Sequence, residues 1–537
     1  MYCMALEVLY SWAPGKNFGK VKSTRMKEEQ VGIECRLGGT EELFKCGDIK
    51  THVEDFQVNE VDPDGTVCTA DAPFYHPSYT PPVAVKDEPV LVPTLDELAA
   101  VLAVGQDGDT AKRVLELHGA NGSTEQIICG AMSKEQRTQV HVFFKKHFGG
   151  KLVTDTTADG FLRISRRGQN YTPAPEAGVK RRRYDPRNDR TVDTFPYVQA
   201  WLVKTGVDTM EVMHELARIL KINVKDISFA GTKDRRAVTV QRIAFRNLAV
   251  SKLRGVKSDK FRLCGIRPAT SQLNLGDLTG NRFTLIIRNI EPEVTQERVS
   301  ALVEAFARDG FVNYYGLQRF GTQAIGTHEI GLKMIMGDLL GAADLLLAPN
   351  LQCDNPVVLK AKRKWLAQHD ERSAEELASL LPRAQNSERQ LCNALGKNAK
   401  DLQGAWMAVK REARMMYVHA VQSYLFNRCV SQYLQSHIDK YDAEMLMPIV
   451  GSDNTAAMLK ENPHLGDLMK ELGLEEIKSV CPGLWDLSGD ERKMIVRPGD
   501  VEFEVIDSTT LKLSFSLPKS AYATMALRQL FLNINSK

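Results

Sequence analysis

The sequence predicts an α+β chain, and three observations carry that prediction. Short apolar runs suited to strands occur at 226–230, 238–245, 283–288 and 311–315, amphipathic helices lie between them, and a helix-rich stretch from about 322 to 500 leads into a last strand-like passage, Asp500 to Leu517.

The elements follow in order. After Glu7 the next twenty residues carry Lys16, Lys20, Lys22, Arg25 and Lys27 and no acid, which suits an organellar presequence or a disordered extension. Pro14, Gly15 and Gly19 work against an amphipathic helix there. Thr94 and Glu97 form a capping box that opens a helix over 94–104, stopped by Gly105; Ser133 and Gln136 open another that runs to Phe148, with Val142, Phe143 and Phe144 assigned to core. Phe161–Ile164 reads as a strand. Between Phe161 and Arg190, Arg163, Arg166, Arg167, Lys180 to Arg183, Arg187 and Arg190 face only Glu176, Asp185 and Asp189, with Pro173, Pro175 and Pro186 breaking any helix. This basic segment suits phosphate contacts, a solvated linker or a nuclear-import signal. Asp208–Leu220 is a helix with Val212, Met213, Leu216, Ile219 and Leu220 on one face, and Val299–Ala307 is another. Further on, Ser373 with Glu376 caps a helix that Pro382 ends, and Trp406–Leu434 is one long amphipathic stretch.

Composition bounds the function without naming it. At 537 residues and 43% hydrophobic content the chain can bury two or three cores. Ten cysteines, none nearer to another than eleven residues, exclude a zinc ribbon or a local disulfide framework, and no His-x-x-x-His pair exists, so no metal is expected. His328 and His419 read as hydrogen-bonded core or hinge residues. The net charge of +3 is too small to argue for a polyanionic partner by itself. No run of eighteen apolar residues occurs, so no membrane span is expected. Neither a dinucleotide-binding Gly-x-Gly-x-x-Gly nor a P-loop is present, and Thr232-Lys233-Asp234 is one residue short of a guanine-recognition Thr-Lys-x-Asp.

The richest stretch is Phe229-Ala230-Gly231-Thr232-Lys233-Asp234-Arg235-Arg236, followed by Ala237 to Gln241. Ile227–Ala230 reads as a buried strand, Gly231 as a turn and Val238–Ile243 as the returning strand, which puts Asp234 at a strand end. Lys233, Arg235 and Arg236 would favour its ionised form and attract a polyanion. A solvated hairpin turn accounts for the same residues if nothing else supports a site.

The stretch resembles the signature of the TruD family of pseudouridine synthases, Ala-Gly-Thr-Lys-Asp-Arg/Lys-Arg-Ala/Gly with a later Gln. Other segments match the family in order: Ile49-Lys50 with Asp55-Phe56-Gln57-Val58-Asn59-Glu60; Tyr197 to Thr209 with Lys204; Gly280-Asn281-Arg282-Phe283 ending at Arg288; Asn313-Tyr314-Tyr315-Gly316-Leu317-Gln318-Arg319-Phe320-Gly321; Thr327 to Gly331; Tyr417 to Asn427; and Phe515 to Arg528. The resemblance covers roughly 48 to 530. It departs from the family after Asn427, where the chain reaches Met447-Pro448 within about twenty residues and the insertion looks trimmed.

The resemblance implies a pseudouridine synthase catalytic domain, a mixed and mostly antiparallel sheet flanked by helices, with a helix-rich TRUD insertion. The expected boundaries are an extension at 1–47, a catalytic first part at 48–310 holding a helical insertion at about 84–155 and a basic linker at about 165–190, a TRUD region at 311–500 and a return to the sheet at 501–537. On this reading Phe161–Ile164 re-enters the catalytic sheet. The implied activity is the isomerisation of uridine to pseudouridine in a structured RNA: tRNA first, with rRNA, snRNA or mRNA open. No cofactor is implied. Asp234 is the implied catalytic carboxylate, either removing the C2′ proton to form a glycal or adding to C1′. The implied substrate-binding residues are Lys50, which neutralises a phosphate or pairs with Asp234; Asn313, which holds the catalytic loop or Asp234; Tyr315, which stacks on the flipped uracil; and Lys233, Arg235 and Phe283. Packing explains Phe283 equally well, and Leu317, Phe320, Phe426 and Phe515 are assigned to core. The alternative is an RNA-binding assembly factor, for instance on a ribosomal precursor, that keeps the fold with catalysis dispensable. The compartment is open between nucleus, cytoplasm and mitochondrion.

Overall fold

Strands form where bulky apolar residues alternate with polar ones, as in Phe56–Val61, whose side chains are buried and half-buried in strict turn. The computed structural model describes residues 26–80, 92–166 and 193–536, apart from 40–41, 103–108, 121–124, 149–150, 158, 292, 322–323, 352, 438–439, 456–457, 460–462, 475–476 and 478–482. Most of the acid-poor N-terminal stretch and the basic cluster Lys180–Arg183 lie outside the described residues. In chain order the strands are β1 (Phe44–Ile49), β2 (Phe56–Val61), β3 (Gln126–Ala131), β4 (Leu152–Thr156), β5 (Phe161–Arg166), β6 (Thr194–Thr205), β7 (Ile227–Phe229), β8 (Val238–Ala249), β9 (Phe261–Ala269), β10 (Gly280–Glu291), β11 (Phe311–Val312), β12 (Leu446–Ile449), β13 (Asp490–Lys493), β14 (Ile495–Val496), β15 (Gly499–Asp507), β16 (Thr510–Pro518) and β17 (Phe531–Ser536).

The described residues divide into two compact units, one drawn from Met1–His76, Tyr197–Arg246 and Lys252–Lys537, the other from Pro77–Pro196 with Asn247–Ser251. The larger unit is built on a mixed sheet in the order β15-β16-β10-β2-β8-β6-β9, with β1 beside β10 and β17, and β7 beside β8. β2 and β8 run parallel, as do β1 and β17, while β15–β16, β16–β10, β10–β2 and β6–β9 are antiparallel. The C-terminal passage from Asp500 thus returns to the sheet as β15 and β16. Phe283 on β10 stacks on Phe515 of β16, and Phe515 meets Phe306 of the helix Gln296–Asp309 edge-on, which fixes that helix on the sheet.

Beyond β11 the larger unit is helical. β11 pairs with β14, so the strands that enter and leave this helical region lie side by side. Helices Thr327–Ile335 and Arg411–His437 pack closely at Gly331, where a Cβ would lie 2.1 Å from the Tyr417 carbonyl oxygen. Two sequence expectations are corrected here. The helix Glu371–Leu380 is capped by Asp370, whose carboxylate accepts from the Ser373 amide at 2.8 Å; Ser373 is the capped residue and not the cap. Trp406–Leu434 is two helices, Leu402–Ala408 and Arg411–His437, because Val409 turns extended while the buried Trp406 indole donates to the Leu339 carbonyl at 3.0 Å.

The smaller unit is a three-stranded sheet, β3-β5-β4, covered by helices Leu95–Leu102, Asp109–Gly119 and Lys134–His147 around Leu98, Val114, Val140, Phe144, Leu162 and Ile164. Both expected capping boxes are present. The strand beginning at Phe161 is the centre of this small sheet and not a return to the large one; alternation identifies a strand but says nothing of its partners. Val142, expected in the core, is 62% exposed, while Phe144 two residues on is buried.

Beside the Gly331 contact, the His328 ring stacks on Tyr424 and meets Phe320 edge-on, with a buried Nδ1 that has no hydrogen-bond partner among the described residues. Burial pushes its pKa down to about 4. A base whose folded pKa lies below its free value contributes stability that is present above about pH 6.5 and lost as pH falls towards 4, on the order of 3 kcal/mol in all. Urea midpoints at pH 7 and pH 4.5 should therefore diverge less in His328→Phe than in wild type; an equal divergence would show that His328 does not titrate on unfolding.

Candidate active site

The loop between β7 and β8 is held from beneath by a buried cation. Lys204, near the end of β6 and fully buried, donates from Nζ to the carbonyls of Val207, Lys233 and Asp234 at 3.0, 3.2 and 2.7 Å. Burial lowers its pKa to about 8 against the favourable pull of the Asp208 and Asp234 carboxylates. Thr209, at the first turn of Thr209–Leu220, accepts from the Lys233 amide at 3.2 Å and donates to Gln241 Oε1 at 3.2 Å, and the Gln241 amide donates to the Gly231 carbonyl at 3.0 Å. The Gln of the sequence signature is thus the residue on β8 that closes its own turn.

With its main chain tied down, Asp234 turns its carboxylate, 36% exposed, into a cavity of about 390 Å3 lined by Lys50, Phe56, Phe283, Asn281, Tyr522 and the 230–234 loop among others. Lys50 Nζ lies 2.6 Å from Asp234 Oδ2 and 4.2 Å from the centroid of the Phe56 ring. Lys50 follows β1 directly, is itself buried and has a φ of 58°, a left-handed conformation that costs about 1–3 kcal/mol in a non-glycine residue. That turn brings the ammonium to the carboxylate instead of letting the strand continue.

The neighbouring cations are distributed otherwise than the sequence suggested. Lys233 points away from Asp234 and pairs with the fully buried Glu60 on β2 at 2.8 Å; it is not free for a phosphate. Glu60 also faces Arg242, which reaches Asp62 at 2.7 Å, and Asp62 pairs with the half-buried Arg267, so a chain of ions links β2, β8 and β9. Arg235 and Arg236 are exposed beside the loop and do not line the cavity. Arg288 makes a two-pronged pair with buried Asp55 and serves the fold. Phe283 is both packing and cavity wall, since its ring is 7% exposed.

Neither Asn313 nor Tyr315 is among the residues that line this cavity. Asn313 does not bond the Asp234 loop: its Oδ1 accepts from Arg492 at 2.7 Å, its main-chain oxygen accepts from Arg492 Nε at 3.0 Å and its Nδ2 donates to the Lys493 carbonyl. The Arg492 guanidinium, buried and lowered in pKa by that burial, lies 4.2 Å from the Tyr315 centroid and donates to the Ser520 carbonyl at 2.9 Å. The buried amide of Asn427 brackets the Tyr315 main chain, accepting from its N–H and donating to its C=O. Tyr314 is turned inward to Ser431, while the Tyr315 ring faces a second cleft that adjoins the cavity through Ser520, Ala521 and Tyr522. Sequence reasoning missed Arg492, and no local pattern in Asp490–Lys493 marks it; β12 presents it through the register Met447↔Arg492.

The arrangement offers one ion-paired carboxylate in an aromatic-walled, partly open cavity, with its loop fixed by buried donors. Such a group can take a proton or attack a carbon held beside it. Among the described residues no group of three His, Cys, Asp or Glu side chains is placed to hold a metal ion. No helix there is long and apolar enough to cross a membrane.

The family description tRNA pseudouridine synthase D (TruD) matches residues 181–439 and 432–530. The multisubstrate pseudouridine synthase 7 of Schizosaccharomyces pombe is 28% identical over 94% of this chain and 90% of its own. The pseudouridylate synthase 7 homolog of Mus musculus is 27% identical over 96% and 82%, and the tRNA pseudouridine synthase D of Geobacter metallireducens 28% over 62% and 88%.

Lys204→Met keeps length but strands three carbonyls. It should cost about 2–4 kcal/mol in urea unfolding and expose the amides of 231–236 to faster hydrogen exchange than those of β8. Exchange in that loop equal to wild type would show that Lys204 does not hold it.

Proposed function

Because this chain belongs to the TruD family of pseudouridine synthases, we propose that it isomerises uridines in structured RNA, tRNA first among them, with Asp234 as the carboxylate that acts at the ribose. The observation that carries this is the double fixation of Asp234: Lys204 holds its carbonyl and Lys50 its side chain, and the carboxylate still opens into the cavity. In the reaction the N1–C1′ bond breaks, the uracil turns, C5 bonds to C1′, the C5 hydrogen leaves as a proton and N1 takes up a proton, with no net oxidation or reduction. The enzyme must extrude the base, keep the free uracil in place and set a carboxylate beside the sugar. Asp234 serves the last need whether it abstracts the C2′ proton or adds to C1′.

Lys50 holds the Asp234 carboxylate in line, and an arriving RNA phosphate competes for the same ammonium. Phe283 and Tyr522 wall the cavity in which the uracil turns, and Tyr315, braced by Arg492, stacks on the extruded base from the adjoining cleft. Asn313 supports that stack through Arg492. Arg235 and Arg236, exposed beside the loop, are placed to meet the RNA backbone.

Asp234→Asn preserves shape and removes the base or nucleophile. The mutant should bind substrate RNA about as well as wild type and release no tritium from RNA labelled at uracil C5. Undiminished release would end the catalytic assignment of Asp234. If wild type itself releases none from any RNA it binds, while the mutant restores assembly of a ribonucleoprotein particle in cells lacking the protein, the assembly-factor role takes its place.

A stack depends on the ring and not on the hydroxyl. Tyr315→Phe should stay active, and Tyr315→Ala should lose about 1–3 kcal/mol of stacking and most turnover. Wild-type turnover in the alanine variant would remove Tyr315 from the base site.

A further inference from the structure

We propose that the cleft beside the catalytic cavity is a phosphodiester subsite, in which Arg319 takes the backbone phosphate next to the extruded uridine and Ser520 and Tyr522 form the wall between the two pockets. This rests on the pseudouridine synthase reading of the cavity and adds to it a contact with a second part of the substrate.

The cleft, about 310 Å3, is lined by Tyr315, Arg319, Ser520, Ala521 and Tyr522, and it shares the last three with the cavity that holds Asp234. A ligand that fills the cavity and continues past Tyr522 therefore enters the cleft. Among the described residues no carboxylate lines it. Two guanidinium groups are near, and they differ in what they have left to give. Arg492 is committed to Asn313, to the Ser520 carbonyl and to the Tyr315 face. Arg319 is oriented by a single bond from Nε to Ser423 Oγ at 3.2 Å, and among the described residues its two terminal nitrogens donate to no protein acceptor. A guanidinium steered at one nitrogen and open at the other two presents the paired donors that fit a phosphate.

Position and strain point the same way. The Arg319 guanidinium lies 5.8 Å from the Tyr315 centroid, so a base stacked on Tyr315 would carry its own backbone past Arg319. Ser520 has a φ of 70°, a strained conformation for a residue with a side chain, and Arg492 holds its carbonyl there. A phosphate held on Arg319 would fix the ribose next to Asp234, binding away from the reacting atoms that is used to position them.

The test is a coupling measurement on the full-length Asp234→Asn protein, with and without Arg319→Gln, by fluorescence anisotropy. The probes are substrate RNAs carrying one uncharged methylphosphonate at each linkage in turn around the target uridine. One linkage adjoining the target should cost roughly tenfold in affinity when neutralised, and Arg319→Gln should lose the same amount on natural RNA and be indifferent to that linkage. Arg319→Lys, which keeps charge without the fork, should recover part of the loss. Losses that add at every linkage, or coupling to a linkage far from the target, would overturn the subsite. The measurement needs no turnover: coupling without tritium release by wild type would reject catalysis and keep the subsite, whereas normal release without coupling would reject the subsite alone.

Discussion

The reactive corner depends on one buried ammonium. Taking Lys204 out of water costs several kcal/mol, offset where three carbonyl oxygens converge on a group with three tetrahedral donors. A guanidinium has the wrong shape for that convergence, and an amide has too few hydrogens. Because the carbonyls of Lys233 and Asp234 are drawn to one side, the two side chains diverge. Lys233 goes to the sheet interior and Asp234 to the cavity.

That divergence sorts the charges. Glu60, buried on β2, takes Lys233 and shares in the ion chain through Arg242, Asp62 and Arg267, so these cations are neutralised within the fold. Asp234 is left with a partner from elsewhere, Lys50, which a left-handed turn delivers from the end of β1. Carboxylates and cations adjacent in sequence are thus partnered across strands, and what faces the opening is the partly exposed Asp234 carboxylate on its buried ammonium partner. In the adjoining cleft Tyr315 lies over a guanidinium that its own hydrogen bonds hold in place.

Much of this was legible in the chain. The strand from Ile227, the returning strand from Val238 and the helix from Thr209 follow from alternation, capping residues and turn chemistry, although Asp234, expected at a strand end, lies within the loop between those strands. The resemblance to a family supplied the pairing of distant segments that periodicity cannot. What was not legible depends on three-dimensional neighbours. Asn313 was expected at the Asp234 loop and instead anchors Arg492, a residue some 180 positions away that a short hairpin register brings into place. Lys233 was read as a surface cation because its partner, Glu60, lies on a strand far back in the sequence. Phe161–Ile164 was recognised as a strand but assigned to the wrong sheet, since its own residues fit either.

The pairing of β11 with β14 has a further consequence. The chain leaves for its helical region and comes back through two strands joined as neighbours, so the distance the intervening residues must span is short whatever their number. Loops and helices between them can lengthen or shorten without pulling on the strands that carry the cavity. The freedom stops just inside the exit: Arg492 sits three residues before β14, and any deletion that crossed it would take away the support beneath Tyr315.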